Sequence, residues 1–519
     1  MELLLKLLIL MLLGMTLFIN ALVLIYLWFR ISNTVKNYAN FPIYGAANPL
    51  LVFWQYFQQM RNIKKIPVLA NVLRLTIANA YMFQLEGVFH FWVGCIPYVA
   101  IYKAEYIKEV INSRTADDKS KDYLVIRKLL RTGLLTSNGK RWRMRRKLIQ
   151  PSVQMRNMEM YVPVFNEHSL VLVDKLKEKV DEPWIDAQHM IVACAIDIMF
   201  HSALGIHIKC QEGSREIQEM PQIAKELTEH MIRRMVQPWL WFDTIFYCTS
   251  AGLKYRTAEN KVRNFVTKII LEGKEALETK PRGDKCSEQS ENKNKFFLEI
   301  LLEEHAKDES FTLDHIQDEV INFIFAGYDT TSSALSWALY LLGLHSDIQG
   351  RVYQELYSIF GDDKTRNVTL EDVKNMTYLE QVIKETLRLY PSVPFIAREN
   401  KESIKIGRYI IPPGSHIVIL INMLHKNSEV FPNPEKFNPE RFSPENSLDR
   451  DSFCYLPFSC GVRACLGYGY AITEMKIVLA HIIRNFKVTS LDPIDSLNVM
   501  MSVTLRCLDP LLLRFTSRT

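Results

Sequence analysis

The 519-residue sequence contains no Cys-x-x-Cys pair, although it has nine cysteines. This absence excludes the common zinc-ribbon and thioredoxin signatures, and an odd number of cysteines spread along so long a chain does not indicate a disulfide framework. Glycine and proline are scarce, at 20 and 21 residues, which excludes a collagen-like repeat and wholesale disorder. The net charge of +6 lacks the strong basic bias of nucleic-acid-binding proteins, so we expect no nucleic-acid partner.

One long stretch lacks charge entirely. The 23 residues from Leu7 to Phe29 are uncharged, and as a helix they reach roughly 34 Å, enough to cross a hydrocarbon core of ~30 Å. Its last aromatic residues and Arg30 stand where a signal peptide would have a small-residue cleavage site. We therefore predict a single-pass membrane anchor over residues 1–30, a hinge over 31–50 and one large domain, in the cytosol, over 51–519.

The composition and periodicity of the large domain change once along the chain. From about residue 100 to 390 the apolar residues follow helical periodicity with few breakers, whereas prolines crowd the stretch 391–465. Between these prolines, Ile404–Ile411 and His416–Ile421 are long enough only for short strands, and a last helix is expected from about Cys465. The sequence therefore predicts a mostly α fold with small β-sheets.

Near the C-terminus, the run FSCGVRACLG, which begins at Phe458, has the composition of a metal–thiolate site. A ligating thiolate needs hydrogen-bond donors around its sulfur and a backbone that turns tightly beneath it. Gly461 and Gly467 allow such turns. Phe458 can shield the sulfur of Cys465 from water, and Arg463 offers a fixed cation for an anionic group of the ligand.

This run resembles the haem-binding loop of the cytochrome P450 family, whose fixed residues are all present at their spacing. The resemblance implies the cytochrome P450 fold, a single large haem domain behind an N-terminal transmembrane helix. It implies haem b as the cofactor, Cys465 as the axial iron ligand and Cys460 as a bystander. The other fixed residues of the loop would then surround the haem: Phe458, Gly461, Arg463 and Gly467.

Two further elements of the family follow in order. Thr377-x-x-Glu380 is predicted to form a capping box at the start of a helix. On that helix Glu385 and Arg388 lie three residues apart, so they share a face and can pair. The resemblance implies that Arg441, from a Pro-Glu-Arg-Phe run, joins them in a buried structural lock that takes no part in catalysis.

The haem propionates need cations and hydrogen-bond donors. Trp142 and Arg146 lie one helical turn apart, and Arg398 and Arg463 match two further propionate contacts of the family. The other cations of the Trp142 helix fit two interpretations, a solvated charged face or a docking surface for an acidic electron-donor protein: Arg141, Arg143, Arg145 and Lys147.

A long helical pattern around 320–345 is interrupted by small and β-branched residues that disfavour a helix interior. By resemblance this segment crosses the distal face of the haem, where Ala326 and Gly327 leave room for dioxygen. Asp329 and Thr330 then match the acid–alcohol pair that guides protons to the dioxygen. They are the predicted catalytic residues.

The resemblance implies a monooxygenase of the endoplasmic reticulum membrane that inserts one atom of O2 into a lipophilic substrate, such as a fatty acid, steroid, terpenoid or xenobiotic. Electrons come from NADPH through NADPH-cytochrome P450 reductase, with cytochrome b5 as a further candidate donor. Two rival functions stay open. One is a haem-thiolate isomerase or dehydratase of lipid peroxides, and the other is a membrane-tethered haem sensor without turnover.

Several segments are most similar to the fatty-acid ω-hydroxylase clan, insect members included, among them Phe325–Ala334 and Gln237–Asp243. Many enzymes of that clan carry glutamate in place of Ala326 and can esterify the haem through it. No such ester can form here, so selectivity for the terminal carbon is not implied. The apolar segment Met231–Tyr247 is predicted either to line substrate access at the membrane surface or to be plain core.

Overall fold

The computed structural model describes residues 35–43, 68–93, 96–121, 123–279, 295–493, 496–501 and 503–518. The predicted anchor over residues 1–30 lies outside these ranges. Within them, no helix combines the length and the apolar character needed to cross a bilayer.

Helices dominate the described chain. In chain order they are α1 Val68–Met82, α2 Ala104–Asn112, α3 Tyr123–Leu130, α4 Gly139–Ile149, α5 Met158–Lys177, α6 Gln188–Leu204, α7 Arg215–Gln218, α8 Met220–Val236, α9 Asp243–Tyr247, α10 Ser250–Thr279, α11 Phe297–Lys307, α12 Leu313–Leu344, α13 Ser346–Phe360, α14 Leu370–Asn375, α15 Thr377–Leu389, α16 Ile421–Leu424, α17 Pro444–Ser447 and α18 Tyr468–Asn485.

The strands are short and form small sheets, as predicted. They are β1 Val88–Val93, β2 Ile96–Ile101, β3 Asp118–Lys119, β4 Ile185–Asp186, β5 Phe395–Glu399, β6 Ile404–Ile406, β7 Tyr409–Ile411, β8 His416–Leu420, β9 Phe486–Ser490, β10 Val499–Met501, β11 Leu505–Cys507 and β12 Leu512–Ser517. The largest sheet has the order β1-β2-β8-β5-β3, and in it only β2 and β8 are parallel. The others are β4-β12-β9, β10-β11 and β6-β7.

The main hydrophobic core is built around α12, which packs against α6, α15 and α18. At 32 residues this helix is about 48 Å long. Every residue from Thr331 to Leu342 is buried, which is the pattern of a helix surrounded by protein on all sides. The helix continues without a break through the small and β-branched residues near Ala326.

The predicted capping box at Thr377 is wrong. No side chain of α15 caps its own first turn. Glu355 of α13 does so instead, since its carboxylate accepts from the backbone amides of Tyr378 at 2.6 Å and Leu379 at 2.9 Å. At a helix N-terminus, a full negative charge interacts more strongly with the free backbone amides than a hydroxyl does. Glu380 is left free to bind Lys476 at 2.5 Å.

Part of the predicted hinge packs on the domain. Tyr38 and Phe41 are buried. The Tyr38 ring stacks on His90 with 5.3 Å between centroids, and the Phe41 ring stacks on Tyr409 at 5.0 Å. Residues 35–43 thereby attach to the edge of the largest sheet, where Ile43 bridges to β1.

Candidate active site

A cavity of about 360 Å³ lies where the middle of α12 meets the start of α18. Its lining is largely apolar, with a few polar groups among the aliphatic and aromatic side chains, which is the usual character of a ligand pocket. Most of the residues singled out in the sequence line it together: Trp142, Arg146, Ala326, Gly327, Asp329, Thr330, Phe458, Arg463, Cys465 and Gly467. Arg398 and Gly461 are not in this lining but are near it in sequence. Arg398 follows the lining residue Ala397, and Gly461 lies two residues after the lining residue Ser459.

The loop before α18 brings the Cys465 thiol to the cavity. Its backbone adopts left-handed conformations at Ser459 and Gly461, with φ of 60° and 68°. A Cβ on Gly461 would also lie 2.7 Å from Ile111 Cγ2, so conformation and packing both require glycine there. The amide of Cys465 donates to the carbonyl of Phe458 at 2.9 Å and closes the loop.

The environment of Cys465 suits a metal ligand better than a free nucleophile. The Cys465 side chain lies inside the protein, and its exposed surface faces the cavity. Burial raises the pKa of the Cys465 thiol, while the Gly467 amide and the Arg146 guanidinium act in the opposite direction. Such a thiol keeps its proton at neutral pH until a metal ion displaces it.

Three cations meet at one edge of the cavity. In the pairing of β3 with β5, Lys119 lies opposite Arg398. Burial, and then the charges of Arg398 and Arg463, hold the pKa of Lys119 well below its usual range. Burial and Arg398 lower the pKa of Arg463 to about 10. Buried cations that lie close enough to lower the pKa of a neighbour favour an anionic ligand among them.

The hydrogen bonds of these cations go to neutral oxygens. Arg463 donates to the carbonyls of Asp117 and Ser137, both at 3.0 Å, and Arg398 donates to the carbonyl of Ala397 at 3.1 Å. Lys119 Nζ lies 3.3 Å from the Tyr123 hydroxyl. Carboxylates of a ligand would bind all three cations more strongly than these neutral oxygens do. No sequence motif marked Lys119.

Helix α4 is tied to the cysteine loop. Arg146 donates to the carbonyl of Ala464 at 2.9 Å, and the Arg463 guanidinium lies 3.8 Å from the centre of the Trp142 ring. Trp142 and Arg146 therefore reach the cavity from the same side, as their spacing of one turn predicted.

The small residues of α12 have different roles. Ala326 is exposed to the cavity. A Cβ on Gly327, however, would lie 2.2 Å from Met199 Sδ, so this glycine is needed for the close packing of α6 on α12. The Thr330 hydroxyl donates to the carbonyl of Ala326 at 2.7 Å and lies on the cavity surface.

Asp329 points to a different set of partners. Its carboxylate is buried, forms an ion pair with Arg506 of β11 and accepts from the Thr504 hydroxyl at 2.9 Å. Nearby, the carbonyl of Leu505 accepts from Ser333 Oγ at 2.8 Å. The C-terminal hairpin β10–β11 is thus bonded to the middle of α12. Sequence reasoning missed Thr504 and Arg506, which carry no motif.

The comparison with known families decides what this cavity is. The sequence model described as Cytochrome P450 matches residues 62–507. The chain belongs to the cytochrome P450 family.

Similar P450s cover nearly the whole chain. Cytochrome P450 4V2 of Mus musculus is 35% identical over 477 residues, 88% of this chain and 90% of that protein. Cytochrome P450 4c3 of Drosophila melanogaster is 32% identical over 496 residues, 92% of each chain. Cytochrome P450 4c21 of Blattella germanica is 32% identical over 462 residues, 88% of each. The resemblance to P450s, insect members included, is confirmed, and the protein is a P450 monooxygenase whose family implies a haem-thiolate cofactor.

Away from the cysteine loop, this P450 contains the predicted cluster of buried charges around Glu385. Arg388 donates to both oxygens of Glu385, at 2.7 and 2.9 Å, and neither side chain is exposed. It also donates to the carbonyl of His425 at 3.0 Å. Arg441 Nε lies 3.4 Å from Glu385, whose Oε1 also accepts from the Asn438 amide at 2.9 Å.

The basic helix α4 does not present all of its cations to solvent. Arg141, Arg143 and Lys147 are exposed, but Arg145 is buried, so its inclusion in a docking surface is wrong. The Arg145 guanidinium lies 4.0 Å from the centre of the Phe311 ring and 3.5 Å from Glu319.

Glu319 is a polar group of the cavity that sequence reasoning missed. It lies on α12, lines the cavity and accepts from the Leu134 amide at 2.9 Å. Burial raises the pKa of Glu319 to about 7, although the Leu134 amide and Arg145 act against it. No motif marks this pair, because Arg145 and Glu319 are far apart in sequence.

Proposed function

We propose that this P450 binds haem b in the cavity lined by Cys465 and the Ala326–Thr330 segment, and inserts one atom of dioxygen into a lipophilic substrate. The observation that carries the proposal is the presence, in one cavity, of a loop-held thiol, a small-residue helix segment and an edge rich in cations. When bound, the haem supplies the activation of dioxygen. The chain supplies the ligand, the charge balance, the proton path and the shape of the site.

The residues fit this cofactor. Cys465 would ligate the iron as a thiolate, and Phe458, Gly461 and Gly467 would hold its loop. The propionates would lie among the cations and the indole at the cavity edge: Trp142, Arg146, Arg398, Arg463 and, in addition, Lys119. This arrangement is supported by the neutral partners of Arg398 and Arg463. Two carboxylates there would offset the burial, and the repulsion by neighbouring cations, that lower the pKa values of Lys119 and Arg463.

Thr330 and Asp329 would have different roles at the proton path. The Thr330 hydroxyl donates its hydrogen bond to the Ala326 carbonyl, so its oxygen keeps lone pairs that can accept a hydrogen bond from a water in the cavity. Asp329 is held by Arg506 and Thr504. We assign Thr330 to holding the proton-bearing water and Asp329 to fixing the helix and hairpin behind it. Ala326 leaves the space in front, and Gly327 allows α6 to pack closely on α12.

Electrons would come from NADPH through NADPH-cytochrome P450 reductase, with cytochrome b5 as a second donor. The exposed face of α4 is the proposed docking surface, because the same helix contacts the cysteine loop through Arg146. It offers four exposed cations to an acidic partner: Lys140, Arg141, Arg143 and Lys147. Residues 1–30 as an anchor in the endoplasmic reticulum membrane, 31–50 as the hinge and 51–519 as the cytosolic domain complete the proposal.

The proposed substrate is a fatty acid, steroid, terpenoid or other lipophilic compound. The largely apolar lining supports this class. Ile232 and Met235, from the Met231–Tyr247 segment, line the cavity, whereas Phe242 is 65% exposed. One segment thus connects the cavity with an apolar surface, as expected of substrate access from a membrane. Because Ala326 cannot esterify the haem, the position of oxidation is left to the shape of the cavity.

The test of the ligand compares two neighbouring cysteines. Cys465→Ser should lose the Soret band that the reduced, CO-bound haem-thiolate gives, together with all turnover. Cys460→Ser is the matched control and should keep both, since burial raises the pKa of that thiol to about 11 and its role is that of a bystander. A thiolate-type band that survives in Cys465→Ser would contradict the assignment.

The test of the reaction uses Thr330→Val, which nearly preserves volume. With reductase and substrate, this variant should still consume NADPH but form much less product per NADPH, with hydrogen peroxide accounting for the difference. The stoichiometry of NADPH, dioxygen, peroxide and product measures this. Equal coupling in variant and wild type would remove Thr330 from the proton path. A wild type that bound substrate but consumed no NADPH would instead favour the isomerase or the sensor.

A further inference from the structure

Three histidines and one glutamate lie together outside the active-site cavity. Glu167 and His168 are neighbours on α5, His201 is in the last turn of α6, and His207 follows in the loop after that helix. We call these four residues the histidine cluster. None of them lines the cavity that contains Cys465, and none has a part in the proposed reaction.

The backbone after α6 brings His207 onto His201. Gly205 ends the helix in the left-handed conformation, with φ of 72°, and its amide donates to the His201 carbonyl at 2.9 Å. The chain therefore reverses within three residues, and the two imidazole rings come to lie with their centroids 3.6 Å apart. A Cβ on Gly205 would also lie 3.0 Å from the Phe296 ring, so this turn is fixed from both sides.

The nitrogen and oxygen atoms that could bind a metal lie close together. His168 Nε2 lies 3.2 Å from His201 Nδ1, Glu167 Oε1 lies 3.4 Å from His207 Nδ1, and Glu167 Oε2 lies 3.8 Å from His201 Nδ1. One ligand atom from each of the four residues falls within 4.8 Å of all the others. Zinc bonds of about 2.0–2.1 Å in a tetrahedron place neighbouring ligand atoms about 3.3 Å apart, close to these separations.

The protonation states also suit a cation. Burial, followed by the charges of His201 and His207, lowers the pKa of His168 to about 3. Burial and His207 lower the pKa of His201 as well, against the opposing effect of Glu167. A neutral imidazole such as that of His168 has a free lone pair for a metal, and Glu167 offers a carboxylate oxygen beside it.

We propose that the histidine cluster binds one divalent first-row transition-metal ion, with Zn²⁺ as the best match, through three imidazole nitrogens and one oxygen of Glu167. Three nitrogens and one oxygen are a common donor set for this ion. The side chains of Glu167 and His207 are 48% and 45% exposed, so the ion can enter from solvent, while His168 is buried beneath it.

Hydrogen bonds from two neighbouring side chains fix the backbone of His168, the most buried residue of the cluster. The carbonyl of His168 accepts from Gln211 Nε2 at 3.3 Å and from the Cys194 thiol at 3.4 Å. These bonds hold the backbone of α5 against α6 and the loop beyond it. A bound ion would join the same three segments through side chains, so it would stabilise the fold there without touching the active site.

The experiment uses the haem-loaded full-length protein, treated with chelator, dialysed and then titrated with ZnCl2. Calorimetry gives the affinity, and elemental analysis after gel filtration gives the number of ions retained. Wild type should bind one equivalent in the cluster. In His207→Ala that affinity should fall at least about tenfold, because one ligand is lost. The matched control is His189→Ala, an exposed histidine of the same helix α6 that lies outside the cluster. It should bind like wild type.

A second measurement guards against a folding artefact. Zn²⁺ should raise the unfolding temperature of wild type and of His189→Ala, but not of His207→Ala, whose CO spectrum and turnover should remain normal. The proposal is overturned if His207→Ala binds Zn²⁺ as tightly as wild type, if His189→Ala loses the site equally, or if wild type binds no ion. In the last case the four side chains are held together only by their own hydrogen bonds and ion pairs.

Discussion

Two buried carboxylates of this P450, Glu385 and Glu319, each face an arginine, and they differ in almost everything else. Glu385 accepts from two nitrogens of Arg388 at 2.7 and 2.9 Å and from a backbone amide at 2.9 Å. Glu319 accepts from a single amide, and Arg145 stands 3.5 Å away. In the second pair, Arg145 Nη1 and Glu319 Oε1 have no hydrogen-bond partner.

The number of donors, rather than burial, separates the two sites. Both glutamates are almost fully buried, at 0% and 1% exposure. Where bidentate geometry and backbone groups satisfy the oxygens, the pair behaves as one rigid unit. Where they do not, the carboxyl keeps a proton up to a higher pH, and burial raises the pKa of Glu319 to about 7. The first pair suits a structural lock, and the second can change its charge beside the cavity.

Removing the acid of the lock should have the largest effect. Glu385→Ala leaves Arg388 buried without its partner, and we expect a loss of roughly 3–5 kcal/mol in the free energy of unfolding, with poor retention of haem. Urea denaturation of the haem-loaded protein measures this. Glu371→Ala is the control, because Glu371 pairs with Lys374 at 3.0 Å on the surface, and the change there should be under about 1 kcal/mol. A similar small change in Glu385→Ala would contradict the lock.

Glu319→Gln should change how stability depends on pH. The pKa of Glu319 is about 7 in the folded protein and near 4.5 in the unfolded chain, so the unfolded state releases its proton first as the pH rises. Stability of the wild type should therefore fall between pH 4.5 and 7, by on the order of 3 kcal/mol from this group. The glutamine variant lacks that component. Urea midpoints at pH 5 and pH 8 measure the difference, and parallel curves for the two proteins would rule the titration out.

Arg145→Ala should cost less than removal of either partner in the lock. Glu319 can take up a proton when Arg145 is gone, so no uncompensated charge stays buried, and the loss should be about 1–2 kcal/mol. Part of it comes from the contact with the Phe311 ring. The same urea experiment applies. A loss as large as that of Glu385→Ala would show that the two pairs are equivalent after all.

Arg143→Glu should leave stability unchanged, since this residue is exposed on the same helix as Arg145. Its effect should appear in reductase-supported turnover, which we expect to fall at low ionic strength and to recover in part at high salt, because exposed charges are screened over ~8 Å at physiological ionic strength. Substrate binding, followed by the Soret shift, should stay the same. Unchanged turnover at low salt would show that the exposed face of α4 is a solvated charged surface and not a docking surface.

A contact could be predicted from the sequence where its partners are close together in the chain. Glu385 and Arg388 are three residues apart on one helix, so their pairing is local information, and the fixed spacing of the cysteine loop likewise marks Cys465 without a structure. The partner of Asp329, in contrast, lies 177 residues away. The cap of α15 comes from Glu355 of another helix, and the proximity of Lys119 to Arg398 depends on strand pairing. Contacts made by tertiary packing leave no periodic or spaced signal.

The attachment of the C-terminal hairpin to α12 has a consequence for how such an enzyme can change over evolution. Val503 and Thr504 line the cavity, while Thr504 and Arg506 hold Asp329. A mutation of Thr504 that changed the shape of the cavity would therefore also remove a hydrogen bond that holds Asp329, behind the proposed proton path. Exchange of this hairpin between related P450s would therefore change the lining of the cavity and the support of Asp329 together.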